Sequence, residues 1–272
     1  MLYNVDGHAP SLLPDGYRWK LVWNDEFDGT ELDRTKWDYR LYMLGKRHRT
    51  WTEDGVTLDG KSNAVFSIYE KDGEICSSQL ETGHNFMDMP PDGEDCFKGS
   101  LRWQIGRFRE HKFLHRYGYY ECRCRLQQKP GWWSAFWMQS PIIGCCPDPK
   151  KAGVESDIME SFAPGTVSAH STHYNGYALD HRAETVGHGM KVDGSRFHTF
   201  GMLWTKEGYT FYVDGIEDGR QDKVVSESES FILISTEVKG YRAVQMAPTE
   251  EAKAAVGDTF LVDHVRVFDI VE

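Results

Sequence analysis

Val154-Glu155-Ser156-Asp157-Ile158-Met159-Glu160 sets three carboxylates among apolar neighbours within one short run. Alternation along a strand puts Glu155, Asp157 and Met159 on one face and Glu160 on the other. Bringing all three acids to one side takes one extra residue, a β-bulge, between Asp157 and Glu160. Val154, Ile158 and Met159 call for a core, which argues against a merely exposed acidic edge strand. The stretch reads as a strand buried on one side and acidic on the other.

Outward from it, strand-like runs recur at 19–23, 64–69, 119–126, 134–139, 168–174, 198–204, 210–213, 231–236 and 259–268. Many are rich in Val, Ile, Tyr, Phe, Trp and Thr, with Gly, Asp or Pro often between them. Asp214-Gly215, after Thr-Phe-Tyr-Val, is a two-residue hairpin turn. Helical periodicity is weak, and TEEAKAA at 249–255 is its best instance. Many short strands without intervening helices predict an all-β fold, an antiparallel sandwich or barrel. The loops at 82–99 and 141–153 are long enough to form edges or lids of a site. With no repeat or low-complexity segment, 1–272 reads as one domain with 1–16 as an N-terminal extension.

Of 272 residues, 40% are hydrophobic and 13% aromatic, enough to fill a sizeable core. The 42 acidic against 31 basic residues give a net charge of -11 without a long Lys/Arg run, which reads against a nucleic-acid partner. Nine Trp and thirteen Tyr suit a neutral, stackable substrate such as a sugar chain. No apolar run approaches the roughly 20 residues that span a bilayer. The first residues lack a basic n-region followed by an apolar h-region. The expectation is an extracellular or periplasmic location if a leader is removed, and a cytoplasmic one otherwise. The six cysteines lack paired zinc spacing and read as free thiols or at most one disulfide.

Two carboxylates on one concave face are the minimum equipment for breaking a glycosidic bond: one protonates the leaving oxygen, the other attacks the anomeric carbon or activates water. Five flat strand steps would separate Glu155 from Glu160 by about 16 Å, and a bulge shortens and bends that path. A carboxyl separation of about 5–5.5 Å would imply retention of configuration. Asp157 between them would hold a proton or hydrogen bond that eases their repulsion. Trp133 and Trp137 share a face and are the candidates for stacking on sugar rings, with Trp132 left open. Trp51 and Trp103 are weaker candidates, and Trp204 reads as structural.

The chain resembles glycoside hydrolase family 16, whose active strand in its bulged form reads E-x-D-x-x-E. Glu155, Asp157 and Glu160 fill the three acidic places, with Ser156 where an aliphatic residue is more usual. WKLVWNDEFDGTELDRTKW, GRFREHKF followed by YGYYECRCRL, PGWWSAFWM, FHTFGMLWTKEGYTFYVDG and VDHVRVF resemble the family's other segments in order, with Ser134 where Pro is common. The resemblance implies a β-sandwich jelly roll with substrate in a cleft on its concave sheet. It implies a monomeric, retaining endo-glycosidase acting on a polysaccharide or oligosaccharide without a cofactor, with Glu155 as nucleophile, Glu160 as acid/base and Asp157 as their partner. It further implies Arg107 and Asn63 as substrate contacts, and Glu26 with Asp263 as holders of a structural calcium. His173, on the strand after the acidic run and facing the side of Ser171 and Asn175, is placed for a hydrogen bond to a carboxylate or a sugar hydroxyl of the substrate. Ser-Thr-Glu-Val-Lys-Gly at 235–240 departs from the stretch usual in β-1,3-glucanases, because Glu237 stands where a small residue is usual. With Arg47, Arg49, Arg107 and His173, that departure keeps anionic β-galactans beside β-1,3- and mixed-linkage glucans as substrates. A non-catalytic carbohydrate-binding module and a transglycosylase are the alternatives on the same sandwich.

Overall fold

The computed structural model of the chain describes residues 1–88, 109–177, 179–239 and 249–271. Two antiparallel sheets face each other. One has seven strands in the order Arg182–Val186, His170–Tyr174, Glu155–Ser161, Trp132–Gln139, Phe231–Val238, Gln79–Glu81 and Asp38–Tyr39. The other has eight, running Ile216–Gln221, Tyr209–Val213, His198–Trp204, Gly118–Arg125, Thr259–Val271, Ala64–Ser67 and Val56–Leu58, with Arg18–Asp25 also paired to Thr259–Val271. Most expected strands lie within a residue or two of their observed bounds. The run at 64–69 breaks at the buried Ile68 into Ala64–Ser67 and Tyr69–Lys71. TEEAKAA forms the helix Glu250–Ala254, whose N-cap Thr249 accepts from the Ala252 backbone N–H. The Asp214-Gly215 turn closes the Val213–Ile216 pair, with φ of 51° and 77° at its two residues, as a two-residue hairpin requires.

The core fills the space between the sheets. Phe136, Met138, Ile158, Met159, Ile232 and Ile234 come from the seven-stranded sheet and meet Tyr120, Cys122, Cys124, Phe200, Met202, Val265 and Val267 of the other. Because alternate residues point inward, the remaining residues of the seven-stranded sheet form its outer face. Trp132 is fully buried and donates its indole N–H to the Ala255 carbonyl, which settles it as core; Trp204 is core as expected. Ser134 is also fully buried, where its hydroxyl donates to Gln127, whose amide in turn donates to Ser161. The hydroxyl is thereby satisfied inside the sandwich. The five described cysteines, 76, 122, 124, 145 and 146, are free thiols.

The N-terminal arm lies on the outside of the eight-stranded sheet. Leu2–Tyr3 pairs with Ser11–Leu12, and Leu13 packs with Trp19, Tyr119, Leu203, Tyr212 and Phe268. Arg266, fully buried, donates to the Ala9 carbonyl and the Ser11 hydroxyl, and the Leu12 N–H donates to Glu121. No helix among the described residues is long and apolar enough to cross a membrane.

Candidate active site

The bulge expected from the acidic run is present. Ala135 pairs with Glu160 and Phe136 with Met159, but the next pair is Trp137 with Asp157, so Ile158 is the extra residue. Ile158 and Met159 both enter the core, and Glu155, Asp157 and Glu160 all line one cavity of about 410 Å³ on the sheet's outer face. Trp133, Ala135 and Trp137 of the neighbouring strand form its floor, with Phe162, Ser171, His173, Tyr177, His181 and Ser235 around it. A larger groove, about 1070 Å³, runs beside Tyr17, Tyr212 and Arg220 on the far sheet, and none of the three acids lines it.

Each acid has defined partners. Trp133 donates its indole N–H to Glu160 Oε1 at 2.9 Å. Gln139 Nε2 donates to Glu155 Oε2 at 2.9 Å, and the Tyr177 hydroxyl donates to the same oxygen. Asp157 Oδ2 lies 3.2 Å from His173 Nε2, and His173 Nδ1 is 2.9 Å from His181 Nε2 with the two rings stacked. The Asp157 hydrogen bond holds the His173 imidazole above its ordinary pKa, outweighing burial, and the charges of Asp157, Glu155 and Glu160 add to the effect. Burial of its hydroxyl end, then the Glu155 charge, keeps the Tyr177 phenol well above the usual range, so it stays a donor.

Beyond Trp137 the outer face continues into a second region. Trp137 packs with Phe231 and Leu233, donates to the Ser235 hydroxyl at 3.0 Å, and lies 5.3 Å from the Arg40 guanidinium. A cavity of about 190 Å³ follows, lined by Asp38, Arg40, Glu81, His84, Asp88 and Arg109 among others. Burial raises the Glu81 carboxyl well above the usual range. Burial, then the neighbouring His111 and Arg109, pushes His84 down to about 4. Glu237, almost fully buried, stands opposite Trp133 in the register of the adjacent strand.

Several sequence-based expectations are corrected. Asn63 does not reach the cleft: it precedes a strand of the eight-stranded sheet and donates to Asp59 Oδ2 and the Lys61 carbonyl, closing a local turn. Glu26 and Asp263 do not form an open cage of oxygens. Arg266 grips Glu26 through Nε at 2.8 Å and a terminal nitrogen at 2.6 Å, while Arg123 pairs with Asp263. Two carboxylates already matched by guanidinium groups do not fit a calcium ion, which needs six to eight oxygen ligands. Trp51 is buried, stacked on His48 and 5.0 Å from the Arg40 guanidinium. Arg107 and Trp103 lie outside the described residues. Sequence reasoning missed Gln139 and Tyr177. Gln139 carries a signal, since alternation from Trp133 and Trp137 reaches it; Tyr177, in a Gly-flanked loop, carries none.

Residues 46–231 match the family model described as Glycosyl hydrolases family 16. The chain belongs to this family. It is 26% identical to glucan endo-1,3-beta-glucosidase A1 of Niallia circulans over 72% of the chain and 28% of that relative. It is 26% identical to beta-porphyranase D of Zobellia galactanivorans over 97% of the chain and 64% of that relative. The chain thus spans from about a quarter to two thirds of these two relatives. The endo-beta-1,3-glucanase of Pyrococcus furiosus superposes with a TM-score of 0.67 at 23% identity, covering 95% of the chain and 97% of that structure, a likeness of fold.

Proposed function

We propose that this family 16 domain is a retaining endo-glycosidase that cleaves internal β-bonds of a polysaccharide by double displacement. The observation that carries this reading is the bulge at Ile158, which turns Glu155, Asp157 and Glu160 onto one face beside two tryptophans. Glu155 attacks the anomeric carbon while Glu160 gives its proton to the leaving oxygen. Water then attacks the glycosyl-enzyme, Glu160 takes its proton, and Glu155 leaves as carboxylate. Asp157, between them and against His173, assists both steps. No cofactor takes part, and arginines rather than calcium supply the counter-charge of Glu26 and Asp263.

For the substrate we favour an uncharged β-1,3- or mixed-linkage glucan. A sulfated chain needs cations in the cleft, and three of the described arginines on that side, Arg40, Arg47 and Arg49, already have protein partners. Arg47 donates to the Leu41 and His48 carbonyls, Arg49 pairs with Glu74, and Arg40 pairs with Asp88. A β-galactan is the second reading, supported by the match of nearly the whole chain to a relative named beta-porphyranase. Digestion of a panel of glucans and sulfated galactans separates the two. Glu155→Ala should abolish turnover, and azide should restore a product of inverted configuration. Glu160→Ala should spare the first step on substrates with good leaving groups and leave a slow second step that azide accelerates. Inverted products from the unmodified protein would sink the two-step mechanism.

A further inference from the structure

We propose that Gln139 and Tyr177 are positioning residues that hold Glu155 for attack and for departure, a role that rests on Glu155 being the nucleophile. The direction of each hydrogen bond is set by the chain of partners. Asn85 Oδ1 accepts the backbone N–H groups of Met87 and Asp88 at 2.7 and 2.9 Å, so its amide nitrogen must face Gln139 and donate to Gln139 Oε1. That fixes the Gln139 amide with Nε2 towards the cleft, where its two hydrogens serve Glu155 Oε2 and the Tyr177 oxygen. Tyr177, accepting from Gln139, turns its own hydrogen onto the same Glu155 oxygen. Both donors therefore require Oε2 to be an acceptor, as it is in the carboxylate.

The loop that delivers Tyr177 is held in turn. Asn175 and Gly176 have φ of 64° and 68°, and the Tyr177 ring sits 6.1 Å from that of His181. Gly144 of the facing loop comes so close that a Cβ there would lie 2.7 Å from the Gly176 Cα.

In the first step Glu155 forms a bond to the anomeric carbon as the glycosidic C–O bond breaks and the leaving oxygen takes the Glu160 proton. In the second, water bonds to that carbon, its proton passes to Glu160, and the ester C–O electron pair returns to Glu155. Donors on Oε2 favour the carboxylate, so they assist this departure more than the attack. Among the described residues, Asp157, Glu160, His173 and His181 are the other titratable groups around Glu155, and all are retained in the variants.

The test compares Tyr177→Phe and Gln139→Leu with the unmodified protein, on an aryl glycoside whose good leaving group makes the second step limit kcat. Each variant should lower kcat about tenfold and lower KM with it. Each should also move the acid limb of kcat/KM up by about one pH unit, the equivalent of a tenfold change in ionisation. An unchanged acid limb, or equal falls in kcat and kcat/KM in both variants, overturns the positioning role. Trapping with a 2-deoxy-2-fluoro glycoside and mapping the labelled residue separates the two levels. A label on Glu155 with unchanged pH profiles removes only this inference, whereas a label elsewhere removes the nucleophile assignment as well.

Discussion

The molecule holds two sets of enclosed carboxylates, one on each sheet. On the eight-stranded sheet Glu26 is gripped by Arg266, Asp263 meets Arg123, and Glu121 faces His264 at 3.0 Å with both fully buried. On the seven-stranded sheet the partners seen for Glu155 and Glu160 are an amide, a phenol and an indole, and Asp157 faces an imidazole. In the first set Glu26 and Asp263 are neutralised in place by arginines. Burial pushes Glu26 up, yet the Arg266 fork and the Asn24 amide outweigh it and hold its carboxyl below the usual range. In the second set the donors described for Glu155 and Glu160 are neutral groups that orient the carboxylates, and Asp157 meets a titratable imidazole. The same residue type thus serves structure or chemistry according to whether its partner cancels it or aims it.

The two sets should fail in opposite ways when one member of each is removed. Glu155→Gln keeps the side-chain shape but removes the attacking carboxylate, so turnover should fall to background while the denaturant midpoint barely moves. Arg266→Ala should do the reverse. It strands a buried carboxylate and should cost about 3–5 kcal/mol of stability, with turnover per folded molecule retained. A large fall in turnover for folded Arg266→Ala, or a large destabilisation by Glu155→Gln, would show that the two sets are not separate.

Legibility in the sequence follows the same division. The bulge was readable because acids and apolar residues compete for the faces of one short strand, and only one insertion satisfies both. The cleft tryptophans and Gln139 follow from simple alternation. The arginine partners were not readable: Glu26 and Arg266 are 240 residues apart in the chain, and nothing local marks them as a pair. Asn63 misled for the opposite reason, because its local turn with Asp59 uses the side chain before the cleft could.

Two histidines respond to pH with opposite sign. His84, 6% exposed, has its folded pKa lowered to about 4, so the fold binds it neutral. Its contribution is full above the unfolded value near 6.5 and is lost as pH falls from there to about 4, a change of about 3 kcal/mol. His84→Phe should flatten that part of the stability profile. His173 has the opposite sign, since its folded pKa is raised. Its pairing with Asp157 stabilises fully below about 6.5 and is lost as pH rises through the raised value. Urea midpoints of His173→Gln across pH 5 to 9 should lack this alkaline decline, and a decline equal to that of the unmodified protein would remove the ion pair from the account.

The smallest expected effect is that of chelation. Calcium would bind Glu26 and Asp263 only by displacing two guanidinium groups, one of them fully buried and also bonded to Ala9 and Ser11 of the N-terminal arm. Displacement would leave the Arg266 charge unpaired in the interior, a cost that the ion's own ligation would have to exceed. The melting temperature should therefore be unchanged by a chelator and by added calcium, and metal analysis should find no stoichiometric ion. If calcium raises the melting temperature of the unmodified protein, Glu26→Gln and Asp263→Asn locate the effect. Loss of the calcium response in both variants would return these carboxylates to a metal site and dissolve the contrast between the two sheets. Retention in both would place the ion elsewhere and leave the arginine pairing intact.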